Sequence, residues 1–318
     1  MAGLRARRAR EGDCAVSGSG TSLRRSEGGR VINAANLTRR LFSAIAAGTI
    51  VFSTLYLGTR FNVQWIVGIL ILVAAYPAGV EYIQLMKRLR IPIAAPEFLI
   101  WIPILVFSTV IFNGRYSIVA LLLAIAYQVL RYLGSLPHRD GFLKAVAGVF
   151  GLLYIPWLLT FFYQIYISGG DRPAVGASNA LIILLMVWGY DSGAYIIGSV
   201  FGKHQAFPNV SPKKTWEGIA GGFLFTILGA LVGATFSPVW REFAFWQGFP
   251  HIVASSFIVA GAAQLGDVFE SKLKRAAEVK DSGTFLPGHG GALDRIDGLL
   301  FALPVFFFYY NYILHFFK

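Results

Sequence analysis

Four aspartates occupy places where an apolar chain carries acids only at a cost. Asp191 lies within Trp188-Gly189-Tyr190-Asp191-Ser192-Gly193-Ala194-Tyr195, Asp267 closes Gln264-Leu265-Gly266-Asp267, and Asp294 and Asp297 open the last apolar run. Acids in such segments are functional candidates by default. The i, i+3 spacing of Asp294 and Asp297 sets both carboxylates on one helix face. Hard oxygen ligands grouped this way suit Mg²⁺, which takes carboxylates together with substrate phosphates. The bland alternative is that these acids pair with Arg275, Lys280 or Arg295. Glu81, alone at the end of an earlier apolar run, reads as an interfacial or snorkelling residue.

Cations interleave with the acids. Lys272, Lys274, Arg275 and Lys280 precede Asp281, and Arg295 sits between Asp294 and Asp297. Cations that neutralise phosphate oxygens, beside acids that hold a metal, are what phosphoryl chemistry requires. A second segment, 201–216, carries Lys203, Lys213 and Lys214 with Ser211 and Thr215 as hydroxyl partners. Read alone, that segment fits an anionic lipid headgroup equally well. In Pro287-Gly288-His289-Gly290-Gly291 the glycines let the backbone approach a ligand closely, or simply turn the chain between helices. Gly198 to Lys203 reads GSVFGK, one residue short of a P-loop, and neither GxGxxG opening a helix nor HExxH occurs. These absences argue against a soluble-type kinase or ATPase.

The elements that must position these residues are membrane helices. Of 318 residues 56% are hydrophobic and only 14% charged, against about 25% charged in an ordinary soluble domain. Such a chain cannot cover a water-facing surface, which excludes a soluble globular enzyme, a disordered chain and a groove-reading nucleic-acid binder. The single cysteine, Cys14, rules out an internal disulfide. Apolar runs of spanning length fall at 41–59, 63–85, 98–112, 116–133, 144–167, 179–200, 217–237, 250–269 and 298–317. This is an all-α, polytopic integral membrane helix bundle of about nine transmembrane helices. With the N-terminus cytoplasmic, the inside segments hold 23 of the 28 Lys and Arg residues, the asymmetry the positive-inside rule demands. Segments 201–216 and 270–297 then face the cytoplasm, and Asp191 lies roughly 15 Å deep at 1.5 Å per residue. Residues 1–40 form a basic, Gly- and Ser-rich tail expected to be disordered; 41–178 are the N-terminal spans and 179–318 the region that carries the chemistry. Gly218-x-x-x-Gly222 and Gly229-x-x-x-Gly233 allow close helix packing, internal or across a dimer.

At 271–297 the residues form a pattern: Ser271-x-Leu273-Lys274-Arg275-x₄-Lys280-Asp281-x-Gly283-x₂-Leu286-Pro287-x-His289-Gly290-Gly291-x-x-Asp294-Arg295-Ile296-Asp297. It resembles the signature of the phosphatidate cytidylyltransferases, or CDP-diacylglycerol synthases. Tyr190 to Tyr195, Ser211-Pro212-Lys213-Lys214-Thr215-Trp216-Glu217-Gly218 and Gln264 to Asp267 look like that family's other motifs. The resemblance covers about 190–300; upstream it is one of hydropathy alone. Ala292 departs from the larger aliphatic residue usual there, and the Arg-rich N-terminal extension lies outside the pattern.

The resemblance implies an all-helical membrane fold, a homodimer, and the reaction CTP + phosphatidate → CDP-diacylglycerol + pyrophosphate with Mg²⁺, to which a monovalent cation is a candidate addition. It implies metal-site acids Asp267 and Asp294, with Asp297 and Asp191 close by. Lys274, Arg275, Lys280 and Arg295 are then expected to serve the transferring phosphoryl group. Ser211, Lys213, Lys214, Thr215, Asp281, His289, Gly290 and Gly291 are expected to bind substrate. No nucleic-acid partner is expected. The expected site is a bacterial inner membrane, with a plastid or other organelle inner membrane as the alternative. Two other functions fit the topology: a transporter using membrane acids as a proton or cation relay, and a membrane lipid kinase.

Overall fold

Apolar runs in lipid must satisfy their own backbone polar groups, and a helix does so within one segment. The computed structural model describes residues 34–134, 137–208, 210–237, 245–283, 285 and 290–313. Its helices are α1 (Ala34–Arg60), α2 (Trp65–Arg88), α3 (Ala95–Ile111), α4 (Ser117–Leu133), α5 (His138–Leu152), α6 (Leu158–Ile167), α7 (Pro173–Phe201), α8 (Trp216–Phe236), α9 (Phe245–Ala276) and α10 (Leu293–Phe308). A π-helical turn, Leu153–Trp157, joins α5 to α6 around Pro156, and another, Tyr309–Ile313, extends α10. Each expected apolar segment is helical where described, apart from one or two residues at some of its ends. Among the described residues six helices are long and apolar enough to cross a membrane: α2, α5 through α6, α7, α8, α9 and α10 with its extension; α3 and α4 are shorter apolar helices. α1 begins at Ala34, ahead of the apolar run at Leu41. The tail segment 1–33, His289 and the end of the last expected span lie outside the described residues.

One element departs from the all-helical expectation. Between α7 and α8 the chain forms an antiparallel hairpin, β1 (Gln205–Phe207) with β2 (Ser211–Thr215), pairing Gln205 with Thr215 and Phe207 with Ser211. Pro208 and Pro212 prevent a helix from continuing through this segment. Glu217 closes the hairpin: its Oε2 accepts from the backbone N–H of Lys203 (3.1 Å) and His204 (3.2 Å), and its Oε1 lies 2.6 Å from His204 Nδ1.

The glycine row of α8 is spent on internal packing. A Cβ on Gly218 would lie 2.9 Å from the Ala194 carbonyl oxygen, one on Gly222 would meet the Tyr190 ring, and ones on Gly229 and Gly233 would press on Leu185 and Ile182, all of α7. The two helices therefore lie with backbones nearly touching, and the hairpin is held at the end of this rigid pair. The core runs through the middle of the bundle. Phe150, Tyr154, Phe269 and Phe301 pack in tilted and edge-to-face pairs with centroids 5.2–6.2 Å apart, bringing together α5, the first π turn, α9 and α10. Tyr82 is buried against Phe98 of α3, and its hydroxyl donates to the Ala147 carbonyl of α5 at 2.9 Å.

Candidate active site

Helix ends supply most of the charged side chains that meet in this fold. On α9, Asp267, Glu270, Ser271 and Lys274 follow i, i+3, i+4, i+7 spacing and share one face. The first turn of α10 adds Asp294 and Arg295, and Asp297 follows at the start of its second turn. Asp191 comes from α7, and Lys214 from β2.

Two linked groups result. In the first, Lys214 is ion-paired with Asp267, whose other oxygen accepts from Ser271 Oγ at 3.3 Å. Asp191, Asp267 and Asp297 are close enough to act on one another electrostatically, with Lys214 and Arg295 also acting on Asp191. In the second, Lys274 bridges Glu270 and Asp294, reaching Asp294 Oδ1 at 2.6 Å. Asp294 Oδ2 accepts from the backbone N–H groups of Ser282 (3.0 Å) and Gly291 (2.8 Å). Asp267 and Asp294 therefore sit in different groups: Asp267 beside Asp191 and Asp297, and Asp294 organising the loop ahead of α10. Among the described residues no three His, Cys, Asp or Glu side chains form a ready-made metal cage.

The remaining expected residues separate by role. Lys213 is exposed, and Ser211 is half-buried in β2. Thr215 caps α8, its hydroxyl accepting from the Gly218 N–H at 3.1 Å, which satisfies an orphan donor of the first turn. Arg275 ties the hairpin to the end of α9, donating from Nε to the Val210 carbonyl (3.4 Å) and from Nη1 to that of Val279 (3.3 Å). Lys280 and Asp281 are exposed. Gly290 has φ +87°, and a Cβ there would lie 2.8 Å from Asp294 Oδ2.

Two acids in the network escaped the sequence reading. Glu270 is fully buried beside Lys274; its i, i+3 spacing from Asp267 and i, i+4 spacing to Lys274 was a signal that could have found it. Glu81 was expected at the interface. It is 4% exposed and turns inward onto the loop before α10, and nothing local to α2 announces that partnership.

Two cavities flank the start of α10. The first, about 540 Å³, runs between α1, α2, α6, α7 and α10; its walls are apolar except for Asp191, Ser192 and Arg295. The second, about 690 Å³, lies between the C-terminal half of α2 and segment 279–285, and is lined among others by Gln84, Arg88, Lys280 and Asp281.

Comparison with known proteins bears directly on these groups. The model of the cytidylyltransferase family matches residues 38–313. Over 158 residues the chain is 44% identical to the phosphatidate cytidylyltransferase of Thermotoga maritima, covering 48% of this chain and 54% of that protein. It is 36% identical over 184 residues to the protein of that name from Staphylococcus epidermidis, covering 58% and 66%. It is 39% identical over 142 residues to the one from Haemophilus influenzae, covering 45% and 49%. The matches thus span about half to two thirds of these relatives' length. The family match runs from α1 through the last described residue and takes in both charged groups and both cavities, so the chain belongs to the cytidylyltransferase family.

Proposed function

We propose that the protein is a phosphatidate cytidylyltransferase, which converts CTP and phosphatidate to CDP-diacylglycerol and pyrophosphate at a membrane surface. The observation that carries this reading is a cluster of acids and lysines from α7, β2, α9 and the start of α10, of which Asp191 borders an apolar cavity beside Arg295. One substrate is a soluble polyanion and the other is held in the bilayer, so they can meet only where charge adjoins an apolar space. An acyl chain fits the apolar walls of the first cavity, with the lipid phosphate at its polar end near Arg295. The second cavity offers Gln84, Arg88, Lys280 and Asp281 to the nucleotide.

In the reaction, a phosphatidate phosphate oxygen attacks the α-phosphorus of CTP. The bond from that phosphorus to the oxygen bridging to the β-phosphorus breaks, and pyrophosphate leaves. Arg295, Lys214 and Lys274 offset repulsion between the two anions and stabilise the charge that spreads over the transferring group. The donor set fits Mg²⁺: Asp267, Asp191 and Asp297 offer only hard oxygens and no complete cage, and Mg²⁺ usually takes one or two carboxylates plus substrate phosphates. When bound, Mg²⁺ supplies charge neutralisation at the phosphates; a monovalent cation is a candidate companion. Asp294, already engaged by Lys274 and two backbone amides, orients Lys274 and the loop.

The chain crosses the membrane nine times with its N-terminus in the cytoplasm, as the charge asymmetry of the sequence argues. The bacterial relatives support a bacterial inner membrane. A homodimer, implied by the family resemblance, would use a face other than the α8 glycine row, which α7 covers. Incubation of the purified protein with phosphatidate and each nucleoside triphosphate in turn tests the reading. Pyrophosphate and a liponucleotide formed with CTP alone support it; transport without a lipid product would favour a carrier.

A further inference from the structure

Glu81 makes contacts that no interfacial acid needs. Its Oε1 accepts from the Ala292 N–H at 2.9 Å, and its Oε2 accepts from the Leu293 N–H at 2.9 Å and the Ser282 hydroxyl at 2.8 Å. Ala292 and Leu293 begin α10, and no side chain within α10 caps them. The first N–H groups of a helix have no partner in the helix itself, and a negative charge there is favoured by the helix dipole. Ordinarily a nearby Ser, Thr, Asp or Asn fills this place. Here the cap arrives from α2, more than 200 residues away.

The surroundings are built to admit it. A Cβ on Gly291 would overlap both Glu81 and the Ser282 hydroxyl, and one on Gly283 would overlap Glu81. These glycines of the signature are required by the approach of the Glu81 carboxylate. Glu81 is fixed in turn by Tyr82, its neighbour on α2, which is buried and bonded to α5. Beyond the loop, Asp294 and Lys274 continue the chain of contacts to α9. The same loop forms a wall of the second cavity.

We infer that Glu81 is a positioning residue: it caps α10 across the bundle and holds the loop and the start of α10, with Asp294, Arg295 and Asp297, in the geometry that phosphoryl transfer requires. The catalytic part of this inference rests on the reaction proposed above; the cap itself does not. Displacements of about 1 Å at a reacting centre can cost on the order of 10²-fold in rate.

The test uses the full chain in detergent micelles with phosphatidate, comparing wild type, Glu81→Gln, Ser282→Ala and the double variant. Glutamine keeps the size but presents an N–H₂ to groups that are themselves donors. Hydrogen exchange of the Ala292 and Leu293 amides reads the cap without any substrate, and steady-state kinetics read its consequence. The expected Glu81→Gln result is faster exchange at those amides with the α7–α8 core unchanged, and kcat lower by about 10²-fold with KM for either substrate within about threefold. Ser282→Ala, which removes one of three bonds, shows a smaller loss, and the double variant is no worse than Glu81→Gln alone. Wild-type exchange in Glu81→Gln overturns the cap, and wild-type kcat overturns the positioning role. Should Glu81→Gln not fold, Ser282→Ala decides alone: faster exchange with reduced kcat supports the inference, and wild-type values for both overturn it. If wild type transfers nothing from CTP, the proposed reaction fails while the exchange data still judge the cap.

Discussion

At the scale of single residues, pairing separates two neighbouring lysines. Lys214 is half-buried against Asp267, whereas Lys213 is exposed. On the proposed reaction, removing Lys214 leaves a partly buried carboxylate without its cation beside the transferring phosphates. Loss of a donor of this kind costs roughly 10²–10³ in kcat, so Lys214→Ala is expected to fall mainly in kcat. Lys213→Ala is expected to raise KM with kcat nearly unchanged, the pattern of lost uniform binding. Kinetics in mixed micelles, varying each substrate separately, check both; a Lys214→Ala enzyme with normal kcat contradicts the assignment. Gly290 is the second residue-scale case. Its φ of +87° and the nearby Asp294 carboxylate make Gly290→Ala strained, at about 1–3 kcal/mol. Thermal unfolding in detergent should show a lower Tm, and an unchanged Tm would mean that the loop relaxes freely.

At the scale of elements, the glycine row fixes how α7 and α8 meet, and α7 carries Asp191 while β2 carries Lys214. Gly229→Leu forces a side chain against the Leu185 backbone of α7. Overpacking of this kind costs about 1–3 kcal/mol, so the variant is expected to unfold at lower temperature, with Gly261→Leu as a control because nothing lies within 4 Å of a Cβ there. Equal Tm values for the two variants would contradict the packing account. The elements also show where the sequence was readable. Helix positions followed from hydropathy because lipid leaves the backbone no alternative. Asp267, Asp294 and Lys274 were legible because their chemistry stands out from apolar surroundings. The 205–215 hairpin was not, since strands of three and five residues, one ending just before Pro208 and the other containing Pro212, carry too short a pattern to declare a strand. Glu81 was misread for a different reason: its partners are contributed by another part of the chain, and no spacing along α2 can reveal them.

At the scale of the whole molecule, charge distribution sets orientation and orientation sets access. If segments 201–216 and 270–297 share the cytoplasmic side, cysteines introduced at exposed Lys203 and Lys272 after replacing Cys14 should resist an impermeant thiol reagent applied outside intact cells, while one at exposed Arg172 should react. Labelling of Lys203→Cys from outside would invert the map and separate the site from cytosolic nucleotide.

A cytidylyl transfer and a lipid kinase reaction move different phosphorus atoms of the nucleotide. Purified protein in phosphatidate-containing micelles with Mg²⁺ can be given CTP labelled at the α-phosphorus or, in a parallel reaction, at the γ-phosphorus. Nucleotidyl transfer predicts that the α-label passes into the organic-soluble lipid and the γ-label appears in pyrophosphate. Entry of the γ-label into lipid would identify a kinase, and retention of both labels in unreacted nucleotide would leave the acids and lysines of α7, α9 and α10 without the chemistry assigned to them.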